Sequence, residues 1–289
     1  MSGVASPGHR LGQMIGDFFE DFFADDLTAL ATRLGFYCDK RGPRPARGNA
    51  TRVVWRDNKN NNHALDYVIE KGGSATQLGQ PSAFVELAWR RYTKHSRNKS
   101  GEIAGALLPL RESYPSCRFT GAILAGEYTA GGKNQLTSQG ISVLHIPFAV
   151  LVASFRLKGI DLKYAEAASN AEKQRVIDAW EALTTEEIEE IRQHLREAIQ
   201  GDYSSFTRQL AAALSQTIDV IRILPLYGPE LLMISAADAM GALENYAESP
   251  SLEMPFTKYE IQVRFTNGDR VDGNFRVKAQ ALAFLSTFV

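Results

Sequence analysis

An α/β fold is the expectation for this chain of 289 residues, and three features carry it. Helix-patterned and strand-patterned segments alternate between residues 11 and 150. Two of the strands, "RFTGAILAGEY" and "ISVLHIPF", are apolar almost throughout, as strands buried on both faces are. After residue 156 the texture changes to charged helical stretches and then to paired strands followed by short helices. A main domain with a smaller one appended follows from that change, and the length allows a large core. The hydrophobic fraction of 44% and charged fraction of 22% are ordinary for a soluble globular protein. Net charge is −1, so attraction to a polyanion has to come from local patches.

The elements follow in order. Residues 11–35 place Met14, Phe18, Phe22, Leu27, Leu30 and Leu34 at helical spacing, with Gly35 where a left-handed cap is favoured. "CDKRGPRPARGNA" reads as a loop. "TRVVW" and "HALDYVIEK" read as strands around an Asn-Lys-Asn-Asn-Asn turn. "GGSATQLGQP" is a second turn region, and "SAFVELAWRRY" a further strand. From Ser96 to about Tyr114, the residues Lys99, Ile103, Leu107 and Leu110 share one helical face. "NQLTSQG", closed by Gly140, is a short helix between the two apolar strands. The order predicts a mixed sheet flanked by helices, with its later strands central.

Beyond the core, "KYAEAASNAEKQRVIDAWEAL" and "TTEEIEEIRQHLREAIQ" are two helices, the second opened by a capping box from Thr184 to Glu187. A third covers roughly 203–216. The expected organisation is a core at 11–155, a helical connector at 156–216 and an α+β domain at 217–289. In the last, "IRILPLYGPELLMIS" leads into "AADAMGALENY", and "YEIQVRFTNGDRVDGNFRV" leads into "KAQALAFLSTF". Ala237, Ala239, Leu243 and Tyr246 match Ala279, Ala281, Leu285 and Phe288 at one constant offset, the pattern of a duplicated ββα unit joined by "AESPSLEMP".

Several chemistries are set aside. Cys38 and Cys117 have no CxxC spacing, which suits two thiols in a reducing compartment. The five histidines, His9, His63, His95, His145 and His194, lack metal-ligand spacing. "MSGVASPGHR" carries no apolar signal segment, and the longest apolar run is short and interrupted by His145 and Pro147. A cytoplasmic protein without a membrane partner is the expectation. "LAGEYTAGGKNQL" is not a phosphate-binding loop: its spacing from Gly126 is one residue too long, and Asn134 stands where Ser or Thr would be needed.

The chemistry gathers between residues 63 and 95. Asp66 falls at a bend between strands, and Glu86 lies inside "AFVELAW". On that strand Phe84, Glu86, Ala88 and Arg90 share one face, while Val85, Leu87 and Trp89 share the other. An acid in so apolar a strand costs free energy unless something charged binds it. Two carboxylates on neighbouring strands could hold a hard divalent cation, the equipment for phosphodiester hydrolysis. The plainer alternative is that Asp66 caps a turn and Glu86 pairs with Arg90 or Arg91.

Over roughly residues 11–150, the acid-bearing first helix, Asp66, Glu86, the helix after them and the pair "GAILAGEY" and "ISVLHIP" resemble the restriction-endonuclease-like superfamily, whose motif is written PD-(D/E)xK. The resemblance implies a restriction-endonuclease-like mixed-sheet core flanked by helices. It also implies Mg²⁺ held by Asp66, Glu86 and the Leu87 carbonyl, with Glu20 as an auxiliary acid. Two positions depart from the motif: Leu65 stands where a proline is usual, and Ala88 where the lysine is expected. Arg90 lies on the correct face but about 6.5–7 Å further along, and its permanently protonated guanidinium is a poor proton acceptor. Lys94, in the turn "YTKHS", and Lys99, on the next helix, are the substitutes, since members of the superfamily relocate the lysine to that helix. A disabled site is the other explanation of Ala88.

Basic runs flank the acids, "DKRGPRPARGNATRVVWRDNK" and "WRRYTKHSRNK", interleaved with Trp55, Trp89 and Tyr92. Arg90, Arg91 and Arg97 are the expected DNA contacts there, with Asn267 and Arg270 of the "FTNGDR" turn as candidates for the groove. The expected function is Mg²⁺-dependent cleavage of double-stranded DNA by a restriction endonuclease. Such an enzyme would act as a homodimer and be partnered by a DNA methyltransferase for the same site. The alternatives are a structure-specific repair or recombination nuclease, and a DNA-binding module without catalysis.

Overall fold

The computed structural model describes residues 6–93, 96–165, 168–226, 228–248 and 256–289. The chain divides into two compact units, residues 1–113 with 119–211, and residues 114–118 with 212–289.

In the first unit, helix α1 (Pro7–Arg33) starts where the Ser6 hydroxyl accepts from the His9 N–H and Pro7 takes the first turn. It ends before Gly35, whose φ of +79° turns the chain. Its inner face is a run of Leu11, Ile15, Phe19, Phe23 and Leu27. The strands are β1 (Phe36–Lys40), β2 (Val53–Arg56), β3 (Asn62–Leu65), β4 (Tyr67–Lys71) and β5 (Gln80–Arg90). Then follow α2 (Ser96–Ser113), β6 (Phe119–Gly126), α3 (Ala130–Ser138), β7 (Ser142–Pro147) and α4 (Phe148–Arg156). Five strands make one mixed sheet in the order β1-β4-β5-β6-β7. The first two pairings are antiparallel and the last two parallel. β6 is buried at all its positions, as its sequence predicts, but β7 is an edge strand and not a central one. The centre of the sheet is β5, which carries Glu86. β2 and β3 form a separate hairpin. This is a mixed α/β architecture, with helices flanking the sheet.

Three elements differ from the sequence reading. β1 begins in the segment taken for a loop. α4 begins directly after Pro147, which is its N-cap, in an apolar run that gave no period. α5 (Asn170–Glu181) starts at a second capping box, Ser169 with Glu172, later than the sequence pattern suggested. The Thr184–Glu187 box does open α6 (Thr185–Ala198), and α7 (Gln200–Leu214) follows. α5 packs on α1 through Trp180 and Phe18, with ring centroids 5.4 Å apart. α6 meets α4 through His194 and Ser154 at 3.0 Å. These helices therefore belong to the first unit.

The second unit has β8 (Ile218–Leu226), β9 (Leu231–Met233), α8 (Ala236–Asn245), β10 (Lys258–Phe265), β11 (Arg270–Phe275) and α9 (Lys278–Ser286). Its antiparallel sheet runs β11-β10-β8-β9. Strand, strand and helix occur twice in this order. Of the matched positions, Ala239 with Ala281 and Leu243 with Leu285 are fully buried in one core, whereas Ala237 and Ala279 are exposed.

Candidate functional site

Asp66 sits where the chain leaves the β2–β3 hairpin and enters the main sheet as β4. The β4–β5 ladder ends at the pair Tyr67 and Val85, so further along β5 the Leu87 N–H has no partner on β4. It donates instead to Asp66 Oδ2 at 2.6 Å, which fixes the carboxylate beside the middle of β5. Tyr67 anchors the bend by donating its hydroxyl to the Glu20 carbonyl of α1 at 2.5 Å.

Glu86 is 8% exposed, opposite Ala122 of β6. Its Oε1 has no hydrogen-bond partner among the described residues. Burial pushes the Glu86 carboxyl well above the usual range, the negative charge of Asp66 adds to this, and Lys99 opposes it. Burial likewise raises Asp66 to about 6, with the Leu87 N–H pulling down, Glu20 pushing up, and Lys99 and Arg41 pulling down. Glu20 is also raised by burial, against a hydrogen bond from Arg41. Three carboxyls thus share one electrostatic neighbourhood, and two of them repel each other through low-dielectric surroundings. Among the described residues no group of three or more His, Cys, Asp or Glu is arranged to hold a metal ion, so the side-chain donors here are the pair Asp66 and Glu86.

Lys99 of α2 is half-buried, and its charge acts on both acids; its ion-pair partner is Glu102 at 3.2 Å. Lys94 and His95 lie outside the described residues, as does the Arg97 side chain. Ala88 is buried, and Tyr128 donates its hydroxyl to the Ala88 carbonyl at 3.2 Å. Arg90 bonds the Trp89 carbonyl at 2.8 Å.

Arg91 needs a correction. Its guanidinium lies 3.7 Å from the Tyr164 ring centroid and donates to the carbonyls of Leu162 and Tyr164, so it fastens the chain's own segment and is not presented to DNA. His63 bonds Asp57 at 3.0 Å, the structural role that suits an isolated histidine. Trp55 packs edge-on to Phe84, and Trp89 tilts against Phe148. Asn267 and Arg270 belong to the second unit. Asn267 closes its own turn with Asp269 at 2.8 and 3.1 Å, and Arg270 pairs with Asp272 at 3.2 Å.

A cleft of about 430 Å³ opens beside Asp66. Acids line it from α1 (Asp17, Glu20 and Asp21), and Lys40 and Arg41 line it from the end of β1. The sequence gave no reason to single out Arg41, which lay in a basic run read as one patch.

No family model matches the chain, and no curated protein matches it. One crystal structure, of a protein of unknown function, aligns with 62% of this chain and 98% of its own at 11% identity, with a TM-score of 0.29.

Proposed function

We propose that the cleft beside Asp66 and Glu86 is the active site of a divalent-cation-dependent endonuclease acting on double-stranded DNA, built on a restriction-endonuclease-like core. The observation that carries this reading is Glu86: a carboxylate buried at the centre of the sheet, with an unpartnered oxygen, next to a second buried carboxylate. Such a pair is destabilised by its own charge and gains from a cation. The donors fit Mg²⁺, which takes one or two carboxylates and otherwise keeps oxygen ligands such as a backbone carbonyl and water. When bound, that ion neutralises phosphate charge and makes water a nucleophile at neutral pH.

The chain's own residues have distinct tasks. Asp66, oriented by the Leu87 N–H, and Glu86 hold the cation, with the Leu87 carbonyl as the backbone donor. Lys99 takes the place of the lysine missing at Ala88: it keeps the acid pair ionised and offers an ammonium to a phosphate oxygen. Glu20 adds a third negative charge at the wall of the cleft. A homodimer would bring two such sites to the two strands, and a methyltransferase would protect the host sequence.

Incubation of unmethylated plasmid and phage DNA with Mg²⁺ tests the reading. Discrete fragments that disappear with Glu86→Ala and with Lys99→Ala are the expected result. Ala88 favours the second reading, a DNA-binding module without catalysis. Duplex binding unchanged between Mg²⁺ and EDTA, with no cutting in either, would establish that reading and overturn the nuclease.

A further inference from the structure

The cleft has a second wall, and the chain fixes it firmly. Asp39 of β1 and Glu70 of β4 are buried acids, and Arg44 pairs with both, at 2.8 and 2.7 Å. Arg47 pairs with Asp39 at 3.1 Å. Arg47 also donates through Nη2 to the carbonyls of Lys40 and Gly42, at 3.2 and 2.8 Å, the two carbonyls on either side of Arg41. The Gly42 N–H, in a backbone with φ of +127°, donates to the Thr51 carbonyl at 2.9 Å. The backbone around Arg41 is therefore clamped from both sides by buried groups, yet the Arg41 side chain is 62% exposed and lines the Asp66 cleft.

Arg41 Nη1 donates to Asp17 at 2.7 Å and to Glu20 at 3.3 Å. An exposed ion pair of that kind needs no such rigid mount, because surface pairs contribute little and form with flexible partners. A rigid mount is what a group needs when its geometry relative to a reacting centre matters. A guanidinium's planar fork matches a carboxylate and a phosphate equally well.

We infer that Arg41, resting on the nuclease reading of the cleft, holds a backbone phosphate of the nucleic-acid strand next to the one at Asp66 and Glu86, and that Asp17 occupies it until DNA displaces that carboxylate. Lys40, paired with Asp25 at 3.7 Å, adds charge to the same wall. Arg47 is a positioning residue: it acts through the carbonyls that frame Arg41.

The test is anisotropy of a labelled duplex in Ca²⁺, over a range of salt concentrations, with Arg41→Ala, Arg41→Lys and Asp17→Asn proteins, beside plasmid cleavage by wild type in Mg²⁺. Arg41→Ala should weaken binding about tenfold and lower the log–log salt slope by about one, the loss of one phosphate contact. Arg41→Lys should recover the slope and only part of the affinity. Asp17→Asn, which removes the competing carboxylate at an exposed position, should tighten binding severalfold. An unchanged slope and affinity in Arg41→Ala, while wild type binds and cuts, would overturn the role of Arg41 and leave the nuclease standing. Wild type that neither binds nor cuts would overturn both. If Arg41→Ala does not fold, Asp17→Asn decides: tighter binding supports the contact, and unchanged binding refutes it.

Discussion

Strand β4 has a buried charge cluster at each end, and the two are built on opposite principles. At one end, Glu70 is fully buried and completely answered: Arg44 binds both its oxygens, at 2.7 and 3.0 Å, and the Gly79 N–H donates to Oε2 at 2.7 Å. The remaining donors of Arg44 go to the carbonyls of Ser74 and Gln77. At the other end, Asp66 and Glu86 bring two negative charges together, and one Glu86 oxygen has no partner among the described residues. Burial of charge is costly in both places. Where the charge serves architecture, the chain supplies the counter-charge itself. Where it is withheld, the site is left to gain from a cation brought in from outside.

The sharpest way to break this comparison is to remove one acid from each end. Glu70→Ala leaves Arg44 buried without its partner and should cost about 3–5 kcal/mol of stability. Glu86→Gln removes a charge that nothing answers, so urea denaturation should show stability held or increased, while Mg²⁺-dependent cleavage falls by about 10²–10³-fold or more. Equal destabilisation by the two variants would mean that Glu86 is an ordinary structural acid.

Acidity offers the next test. Asp66 has a folded pKa of about 6, above its ordinary 3.8, so the folded state binds the proton more tightly than the unfolded state. The stability this provides is complete below about pH 4 and is lost as pH rises through 6. Asp66→Asn should therefore stabilise the cation-free protein by on the order of 2 kcal/mol at pH 7.5, and the gain should vanish near pH 4. A gain independent of pH would show that the variant acts through packing and not through the charge.

The two ends of β4 were not equally legible in the sequence. Glu86 stands out because an acid inside "AFVELAW" conflicts with its surroundings, and Asp66 because a polar run turns apolar there. The closed cluster gives no such signal. Arg44 and Arg47 lie in a stretch rich in Gly, Pro and Arg, and only the tertiary fold carries them inside to meet Asp39 and Glu70. β1 was hidden for the same reason, since its Asp39 and Lys40 read as loop residues. α4 was hidden differently: "PFAVLVASF" is apolar on all sides, and periodicity cannot separate a buried helix from a buried strand there. Pro147 and Ser169 did carry the start signals of α4 and α5, in the form of a proline before a helix and a capping box.

Lys99 is the nearest thing to a counter-charge at the open end, and moving it probes whether the motif lysine has changed place. Lys99→Ala should slow cleavage by about tenfold to a hundredfold, in the range of one positioned proton-transfer or phosphate-binding group. Lys99→Ala combined with Ala88→Lys should regain part of that loss, because residue 88 shares the β5 face of Glu86. Slow cleavage in the double variant, in a protein shown by circular dichroism to be folded, would place the lysine's function elsewhere.

The smallest effect concerns why Lys99 does not simply close the open cluster. Its ion-pair partner is Glu102, one turn along α2 and largely exposed. An i,i+3 pair of this kind contributes only about 0.2–0.5 kcal/mol, so Glu102→Gln should barely change stability. It should nonetheless be felt at the acids. With Glu102 neutral, less of the Lys99 charge is offset, and both Asp66 and Glu86 are held in their ionised form a little more strongly. Carboxyl-carbon NMR titration should show the Asp66 midpoint moving down from about 6, and the pH at which stability falls should move with it. A midpoint that stays in place, or moves up, would mean that Lys99 does not act on the acids from its present position, and that the open end of β4 is without any counter-charge of its own.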